Sequence, residues 1–315
     1  MNAANLPDES LAADLATRTL GLCPSTVRRF RTGSTHYVFD LGFEDHPSIV
    51  VRIAGPGHGS AMEGAARLSK VLRPLGVPLP AMIADGSRQP IPYLILERLA
   101  GTDLGKLIAT FDDAALERTA IKIAEAQAET SKVPTSGRYG YAARGDQAPF
   151  AAWSDVLHQN LARSRRRIIA AGLFDTQMVE VVSGMVETAR MALDSLPATP
   201  FLHDTTTRNV IVTDRGDFSG IVDVDDLCFG DPRYVVALTL ASLTAFGGPI
   251  RYADIWMRIS GYADDHIFRL YVALFLVDFM AEHGQTFNGN QRPSKPEDRE
   301  SLLAHFAAAL PRAGA

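Results

Sequence analysis

The sequence predicts an α+β protein with two lobes, a small antiparallel-sheet lobe followed by a larger, mainly helical lobe. Three observations support this prediction. Short β-branched and aromatic runs alternate with turn residues in the first hundred positions. Apolar residues recur at helical spacing from residue 101 onward, and one short hairpin-like segment interrupts the helices. We predict an N-terminal lobe over residues 1–98 and a C-terminal lobe over residues 99–315.

The first lobe is predicted to contain a helix, then a sheet, then a second helix. Residues 60–75 place their apolar side chains on one helical face. Residues 76–80, which include two prolines, end that helix. The strands are predicted from four runs rich in β-branched and aromatic residues: 27–31, 37–41, 48–53 and 93–96.

The second lobe is predicted to be helical around a short hairpin. Its first three helices are expected at 112–129, where Asp112 can cap the first turn, at 151–171 and at 176–194. Two strands, 209–213 and 219–224, then form the hairpin. Helices follow from Pro232 to the end.

Composition excludes several classes of protein. The chain has 315 residues, 46% hydrophobic and 21% charged, which is typical of a folded domain with a sizeable core. A net charge of −5 argues against nucleic acid as a partner. No apolar run approaches the ~20 residues of a membrane-spanning helix, and no signal-peptide pattern is present. Cys23 and Cys228 form no disulfide framework, so we expect a cytoplasmic protein that binds neither nucleic acid nor membrane.

Polar residues are concentrated around the predicted hairpin, in residues 201–234. Because a hairpin brings the end of its second strand beside the start of its first, Asp223 should lie near Asn209. Asp204 precedes both in the adjoining loop. An amide oxygen and a carboxylate suit Mg²⁺, and a carboxylate free of metal can accept a proton from a hydroxyl. Two further carboxylates fit a metal or substrate contact as well as solvation or capping: Asp225 and Asp226.

This segment resembles the aminoglycoside phosphotransferase/choline kinase family, whose members have a protein-kinase-like fold. The run LHDTTTRN matches the family's catalytic loop, and VDVDDLCFGDP matches its metal motif with the same internal spacing. The resemblance implies that Asp204 is the catalytic base and that Asn209 and Asp223 bind Mg²⁺. It also implies that Asp231 supports the loop and caps the helix that follows.

The resemblance runs from about residue 25 to residue 240 and implies an ATP site in the first lobe. Arg52 stands where the family has a basic residue that reaches the phosphates, and Glu63 stands where it has the acidic partner. Adenine would lie against the backbone from Glu97 to Leu99. A loop over the phosphates is implied for three residues: Gly33, Ser34 and Thr35.

Four departures from the family pattern leave the implied base and metal ligands in place. Leu202-His203 stands where the family has His-Gly, and Arg52 replaces lysine. His36 takes a position often held by asparagine, and Val235 one often held by aspartate. A guanidinium still binds phosphate. The resemblance therefore implies an active enzyme that uses ATP and Mg²⁺ to phosphorylate a hydroxyl of a small molecule, such as an aminoglycoside, choline or another alcohol.

The identity of the acceptor stays open at this point. Residues 101–315 carry 21 Lys and Arg against 27 Asp and Glu, which slightly favours a cationic acceptor. A nucleotide-binding pseudokinase that acts as an interaction module is the main alternative, motivated by Leu202-His203 and Arg52. A metal phosphohydrolase built on His203 and Asp204 is disfavoured, because no other histidine occurs from residue 159 to residue 265.

Overall fold

The computed structural model describes residues 6–30, 36–287, 290–291 and 294–310. The helices in this part of the chain are α1 (Glu9–Leu20), α2 (Gly59–Leu72), α3 (Leu104–Leu107), α4 (Asp113–Thr130), α5 (Trp153–Ala171), α6 (Gln177–Asp194), α7 (Arg233–Phe246), α8 (Arg251–Ser260), α9 (His266–Glu282) and α10 (Pro296–Ala309). The strands are β1 (Thr26–Phe30), β2 (His36–Gly42), β3 (Ile49–Ala54), β4 (Met82–Gly86), β5 (Tyr93–Glu97), β6 (Thr102–Asp103), β7 (Gly140–Ala142), β8 (Thr199–Phe201), β9 (Val210–Val212), β10 (Phe218–Ile221), β11 (Leu227–Gly230), β12 (Thr286–Phe287) and β13 (Asn290–Gln291).

The N-terminal region is an antiparallel sheet of five strands in the order β1-β2-β3-β5-β4. Helix α1 packs on it through Ala12, Leu15 and Ala16, which join the core formed by β2, β3 and β5. The four predicted strands are present as β1, β2, β3 and β5. Strand β4 was not predicted, because its sequence MIADG contains alanine, aspartate and glycine, which are uncommon in strands.

Helix α2 crosses beside this sheet and contacts β3, β4 and β5. The helix predicted over 60–75 is observed as α2 followed by a 3-10 turn over Arg73–Leu75. Pro74 lies inside that turn. Since proline has no backbone N–H to continue the α-helical hydrogen bonds, the α-helix ends before it.

The C-terminal region is mainly helical, and helix α9 lies at its centre. Helix α9 is buried along nearly all of its length and packs against α5, α6, α7 and α10. The three predicted helices are present as α4, α5 and α6, and the Asp112 side chain caps α4 by accepting from the Ala115 N–H at 2.8 Å. No helix in the described part of the chain is both long and apolar enough to cross a membrane.

The predicted hairpin is observed as β9 and β10, but it is not isolated. Strand β6 pairs with β9, so the hairpin becomes a three-stranded sheet. Strand β11 pairs with β7 and β8 in a second small sheet. Strands β6, β7 and β8 have two or three residues each, too few to show the alternation that indicates a strand.

The start of α7 is joined to α9 through Asp231, a buried residue. Its carboxylate accepts from the Arg233 backbone N–H at 3.0 Å and from the Tyr271 hydroxyl at 2.9 Å. The Arg233 guanidinium pairs with Asp231 at 2.7 Å and with Asp265, the N-cap of α9, also at 2.7 Å. The Tyr271 hydroxyl in turn accepts from the Trp153 indole N–H at 2.7 Å. Asp231 thus fixes the chain directly after β11.

We expect the substitution Asp231→Ala to lower the free energy of unfolding by about 3–5 kcal/mol, because it removes one of the two anions that pair with the largely buried Arg233 guanidinium and also the acceptor of the buried Tyr271 hydroxyl. Urea denaturation followed by circular dichroism measures the change. Asp264→Ala is the matched control: Asp264 pairs with Arg269 in an exposed position, and such pairs contribute about 0–1 kcal/mol. A loss no larger than that of the control would show that Asp231 is not structurally important.

Candidate active site

The β9–β10 hairpin brings three of the predicted site residues together. The Val222 N–H donates to the Asn209 carbonyl at 2.9 Å, so Asp223 follows directly beside Asn209. The Asn209 Nδ2 donates to the Asp204 carbonyl at 2.9 Å, which closes the loop between them. Asp204 and Asp223 line one small cavity. The juxtaposition follows from hairpin geometry, as the sequence spacing indicates.

Asp223 has an unusual backbone conformation. Its φ of 65° makes it the single non-glycine residue with positive φ in the described part of the chain. Aspartate and asparagine enter this left-handed region more readily than most residues, yet the conformation still costs on the order of 1–3 kcal/mol. Such a conformation persists only where the surrounding structure holds the residue in place, and conformations of this kind are concentrated at functional sites.

Asp204 lies half-buried in the loop before β9. Burial, the largest cause, and the charge of Asp223 together raise the pKa of Asp204 to about 6, despite the lowering effects of His203, Thr206 and Asn209. The Thr206 hydroxyl donates to the Asp204 carboxylate at 3.3 Å. A carboxylate with this pKa remains mostly ionised at pH 7 and is a better proton acceptor than an ordinary aspartate.

His203, at the position where the family has glycine, has a defined partner. Its Nε2 lies 2.5 Å from the Asp226 carboxylate, and its ring meets the edge of Tyr141 at 4.9 Å between centroids. Burial alone would lower the pKa of His203, but the hydrogen bond and charge of Asp226 raise it above its ordinary value. The sequence left open whether Asp226 contacts a metal or substrate or is solvated or capping. In the structure its carboxylate pairs with His203.

Arg52 joins the N-terminal sheet to the polar segment. It lies on β3 with its side chain buried, and its guanidinium donates to Asp225 at 2.6 and 3.0 Å and also to Asp223. The His36 Nε2 lies 3.0 Å from the second Asp225 oxygen. Although burial would raise the pKa of Asp225, Arg52 and His36 lower it to about 2. Asp225 is therefore an ionised anchor for Arg52.

The expected pairing of Arg52 with Glu63 is not formed. Glu63 is half-exposed on α2, and its carboxylate lies 3.7 Å from the Arg88 Nε. The donors of Arg52 are taken by two closer carboxylates on the segment after β10, Asp223 and Asp225. Helix α2 still packs against that segment, since a Cβ added at Gly64 would lie 2.4 Å from the Asp225 carbonyl oxygen. Asp225 thus occupies the role that the resemblance implied for Glu63.

This exchange of partners is testable through stability alone. We expect Asp225→Asn to lower the free energy of unfolding by about 2–3 kcal/mol, because it weakens charge-assisted hydrogen bonds to a buried guanidinium. Glu63→Gln should change it by less than about 1 kcal/mol, as for other exposed ion pairs. Chemical denaturation of both variants measures the difference. Equal losses in the two variants would contradict the assignment of Asp225 as the anchor.

Two of the residues predicted to contact the nucleotide, Glu97 and Leu99, make contacts within the protein. The Glu97 carboxylate accepts from the Ala81 N–H at 2.9 Å, so it links β5 to the segment before β4. Leu99 is half-buried against the hairpin, where a Cβ added at Gly220 would lie 2.8 Å from Leu99 Cδ1. The segment after β5 therefore lies directly beside the hairpin. The predicted phosphate-loop residues lie outside the described residues: Gly33, Ser34 and Thr35.

The donor atoms of Asn209 and Asp223 fit Mg²⁺. Because the Asn209 Nδ2 is held by the Asp204 carbonyl, its Oδ1 is the atom left to act as a ligand. The Asp223 side chain is 43% exposed, so a cation can reach its carboxylate. In the described part of the chain no three His, Cys, Asp or Glu side chains converge on a metal position. Mg²⁺ needs few protein ligands when phosphate and water supply the others.

Two residues near the site were not identified as contacts from the sequence. His36 was noted as a departure, but its hydrogen bond to Asp225 joins positions 189 residues apart. Tyr141, on β7, packs against His203, and a three-residue strand gives no sequence signal for that contact.

The fold that carries this site is that of aminoglycoside phosphotransferases, which are kinase-like. The GDP complex of aminoglycoside 2'-phosphotransferase-IIIa has a TM-score of 0.68 and 16% identity, over 96% of this chain and 100% of that chain. A ternary complex of a thermostable APH(4)-Ia mutant with AMP-PNP and hygromycin B has a TM-score of 0.66 and 17% identity, over 94% of this chain and 96% of that chain. ADP-bound APH(2'')-Ib has a TM-score of 0.60 and 13% identity, over 95% of this chain and 97% of that chain.

Sequence similarity identifies the family more directly. The phosphotransferase enzyme family, APH, matches residues 26–271, so the chain belongs to that family. No protein with curated annotation matches the chain in sequence. The sheet at the N-terminal end and the helical C-terminal region with its short hairpin are the features that the family resemblance implied.

Proposed function

We propose that this chain is an ATP- and Mg²⁺-dependent phosphotransferase that phosphorylates a hydroxyl of a small molecule. The observation that carries the proposal is the placement of Asp204, Asn209 and Asp223 by one hairpin, with Arg52 reaching Asp223 from the opposite sheet. Family membership supports it. So do similar structures with nucleotide and acceptor bound, such as the AMP-PNP and hygromycin B complex of APH(4)-Ia.

In the proposed reaction Asp204 orients the acceptor hydroxyl and takes its proton. Its raised pKa, about 6, suits a base that works near neutral pH. Thr206 and Asn209 fix the loop that carries it. In phosphoryl transfer most of the rate acceleration comes from positioning and electrostatic stabilisation, so a rigid loop contributes directly.

Asn209 and Asp223 would hold Mg²⁺, which supplies positive charge to the phosphate oxygens when bound. Arg52 presents its guanidinium next to Asp223, and its orientation is set by Asp225 rather than Glu63. We propose that the nucleotide lies between lobes divided near residue 98, with adenine against Glu97 to Leu99. The phosphates would lie under three residues: Gly33, Ser34 and Thr35.

The altered pair Leu202-His203 is accommodated in ways compatible with activity. The Leu202 N–H donates to the Gln127 side chain, and the Leu202 carbonyl accepts from it, both at 2.9 Å. His203 is paired with Asp226. These contacts hold the loop of Asp204, and this supports the active enzyme over the pseudokinase alternative. Both cysteines, Cys23 and Cys228, are free thiols, in keeping with a proposed location in the reducing cytoplasm.

The proposal is tested by incubating the purified chain with ATP or GTP, Mg²⁺ and a panel of small alcohols. We expect nucleoside diphosphate release that depends on the alcohol, and a phosphate monoester visible by ³¹P NMR. Asp204→Asn serves as the inactive control. Nucleotide binding without transfer to any alcohol would favour the pseudokinase alternative and contradict the proposal.

A further inference from the structure

A second cleft lies next to the loop of Asp204. It has a volume of about 240 Å³ and is formed by α5 and the segment that follows β7. Tyr141 forms part of its wall, and the same ring packs against His203, the neighbour of Asp204, at 4.9 Å. One ring therefore contributes to the wall of the cleft and contacts the residue next to Asp204, so the two sites are neighbours.

The wall of the cleft is positively charged. Helix α5 contributes Asn160, Arg163 and Arg166 at helical spacing, and no aspartate or glutamate is among the lining residues. The local charge is thus opposite in sign to the net charge of residues 101–315. A polycationic acceptor would meet two guanidinium groups here, and the carboxylate next to them, Asp278, is already paired with Arg163.

Arg163 retains donors for a ligand. Only its Nη2 contacts Asp278, at 3.0 Å to each carboxylate oxygen, while its Nε is buried without a hydrogen-bond partner among the described residues. Asp278 also accepts from the Ser164 hydroxyl at 2.7 Å. A buried donor without an acceptor is unfavourable, so an anion that accepts from Arg163 would remove that unfavourable contribution.

Arg166 lies one turn further along α5 and is exposed. It forms no ion pair or side-chain hydrogen bond within the described part of the chain, whereas its neighbour Arg165 pairs with Glu180 at 2.6 Å. Two guanidinium groups three residues apart on one helix face can bind one carboxylate or phosphate together.

The size and the remaining wall of the cleft restrict the ligand further. Its volume is below the ~300–1,000 Å³ of pockets that hold drug-sized molecules. Tyr141, Phe150 and Val156 supply apolar surface, and the Asn160 amide is fixed by donation to the Tyr141 and Tyr234 hydroxyls at 3.1 and 2.8 Å. The cleft suits a compact molecule with a short carbon skeleton.

Given the phosphotransfer proposed above, on which this inference rests, we propose that the acceptor is a small alcohol bearing an anionic group, bound by Arg163 and Arg166. The acceptor oxygen forms a bond to the γ-phosphorus as the bond from that phosphorus to the departing ADP breaks. The hydroxyl proton passes to Asp204. The anionic group stays in the cleft and fixes the distance of the hydroxyl from the nucleotide.

The test uses acceptors of matched size that differ in charge: D-glucose, D-glucosamine, D-gluconate and glucose 6-phosphate, with kanamycin as a polycation. Calorimetry in the presence of MgADP measures binding, and ADP release measures turnover. We expect an anionic member to bind and react with a KM at least about tenfold below those of the neutral and cationic members. The carboxylate and phosphate arms distinguish the two kinds of anion.

Arg166→Gln should raise the KM and Kd of the anionic acceptor by about tenfold and leave the KM of ATP unchanged. Arg165→Gln, an exposed position on the same helix, should change neither value. Arg163→Gln should have a larger effect. Arg163→Lys, which keeps the charge beside Asp278, should have an intermediate one. Arg166 is exposed, so its variant keeps the test valid even if substitutions at Arg163 disturb folding.

Three results separate the two proposals. The anionic-acceptor inference is overturned if neutral or cationic alcohols bind as tightly as the anionic ones or more tightly, or if no anionic alcohol binds. In that case phosphotransfer to another alcohol would still support the proposed function. Arginine-dependent anion binding with transfer supports both. Arginine-dependent anion binding without transfer from ATP or GTP to any alcohol preserves the anion site and removes the phosphotransferase role.

Discussion

Asp204→Asn is expected to lower kcat by about 10²–10⁴-fold while the Kd for MgATP stays within a few-fold of the parent value. Asparagine has nearly the same shape and can still accept a hydrogen bond from Thr206, so the loop should keep its conformation. What it cannot do is take the hydroxyl proton. Steady-state kinetics on a confirmed acceptor, with calorimetry for MgATP, measures the two effects separately.

The control for this variant is Asp214→Asn, the same chemical change in the exposed turn of the same hairpin. It should leave kcat and the Kd for MgATP unchanged, because Asp214 is remote from the loop that Asn209 closes. Near-normal kcat in Asp204→Asn would show that another group accepts the proton.

Local geometry explains why the centre of the site could be predicted. Asn209 and Asp223 lie at the open end of one hairpin, and the spacing of its two strands is enough to bring them together. The turn and strand signals that define such a hairpin are contained in about twenty consecutive residues. Asp204 is tied to the same unit by a hydrogen bond from Asn209.

Contacts between distant segments could not be predicted in the same way. Arg52 and Asp225 are 173 residues apart, and the sequence gives no measure of which carboxylate lies nearer the guanidinium. The resemblance assigned Glu63, on the adjacent helix, whereas the structure places two carboxylates of the polar segment against Arg52. Which carboxylate pairs with Arg52 depends on how closely α2 packs against that segment. Gly64 permits a close approach between them.

The charge of the second cleft is a further property that could not be predicted from the composition of the chain. Summed over the second lobe, acidic residues are in excess, and that sum slightly favoured a cationic acceptor. The structure distributes them unevenly: the carboxylate of Asp278 is used by Arg163 and Ser164, while Arg163 and Arg166 face the cleft. Recognition depends on the local field at a site, and net charge over many residues does not determine it.

The second large effect is expected at Asp223. Asp223→Ala should abolish the Mg²⁺ dependence of nucleotide binding and lower kcat/KM by about 10²–10³-fold, the loss typical of removing one electrostatic stabiliser of a transition state. Asn209→Ala should have a smaller effect, because an amide brings no formal charge to the cation. Calorimetry with ATP in Mg²⁺ and in EDTA, beside steady-state kinetics, measures both quantities.

Alanine at position 223 would also have to adopt a φ of 65°, which a residue with a plain Cβ does with strain. Asp223→Asn removes this ambiguity, since asparagine tolerates the left-handed region and keeps the shape of the side chain while losing its charge. If the charge of Asp223 is what holds the metal, the asparagine variant should lose Mg²⁺-dependent binding while remaining folded, with a loss of stability no larger than that of Asp225→Asn. Arg52 would still be held by Asp225, so its position should not change. Unaltered MgATP affinity in Asp223→Asn would mean that the cation is bound elsewhere, and that the strained backbone serves only to give Arg52 a second carboxylate.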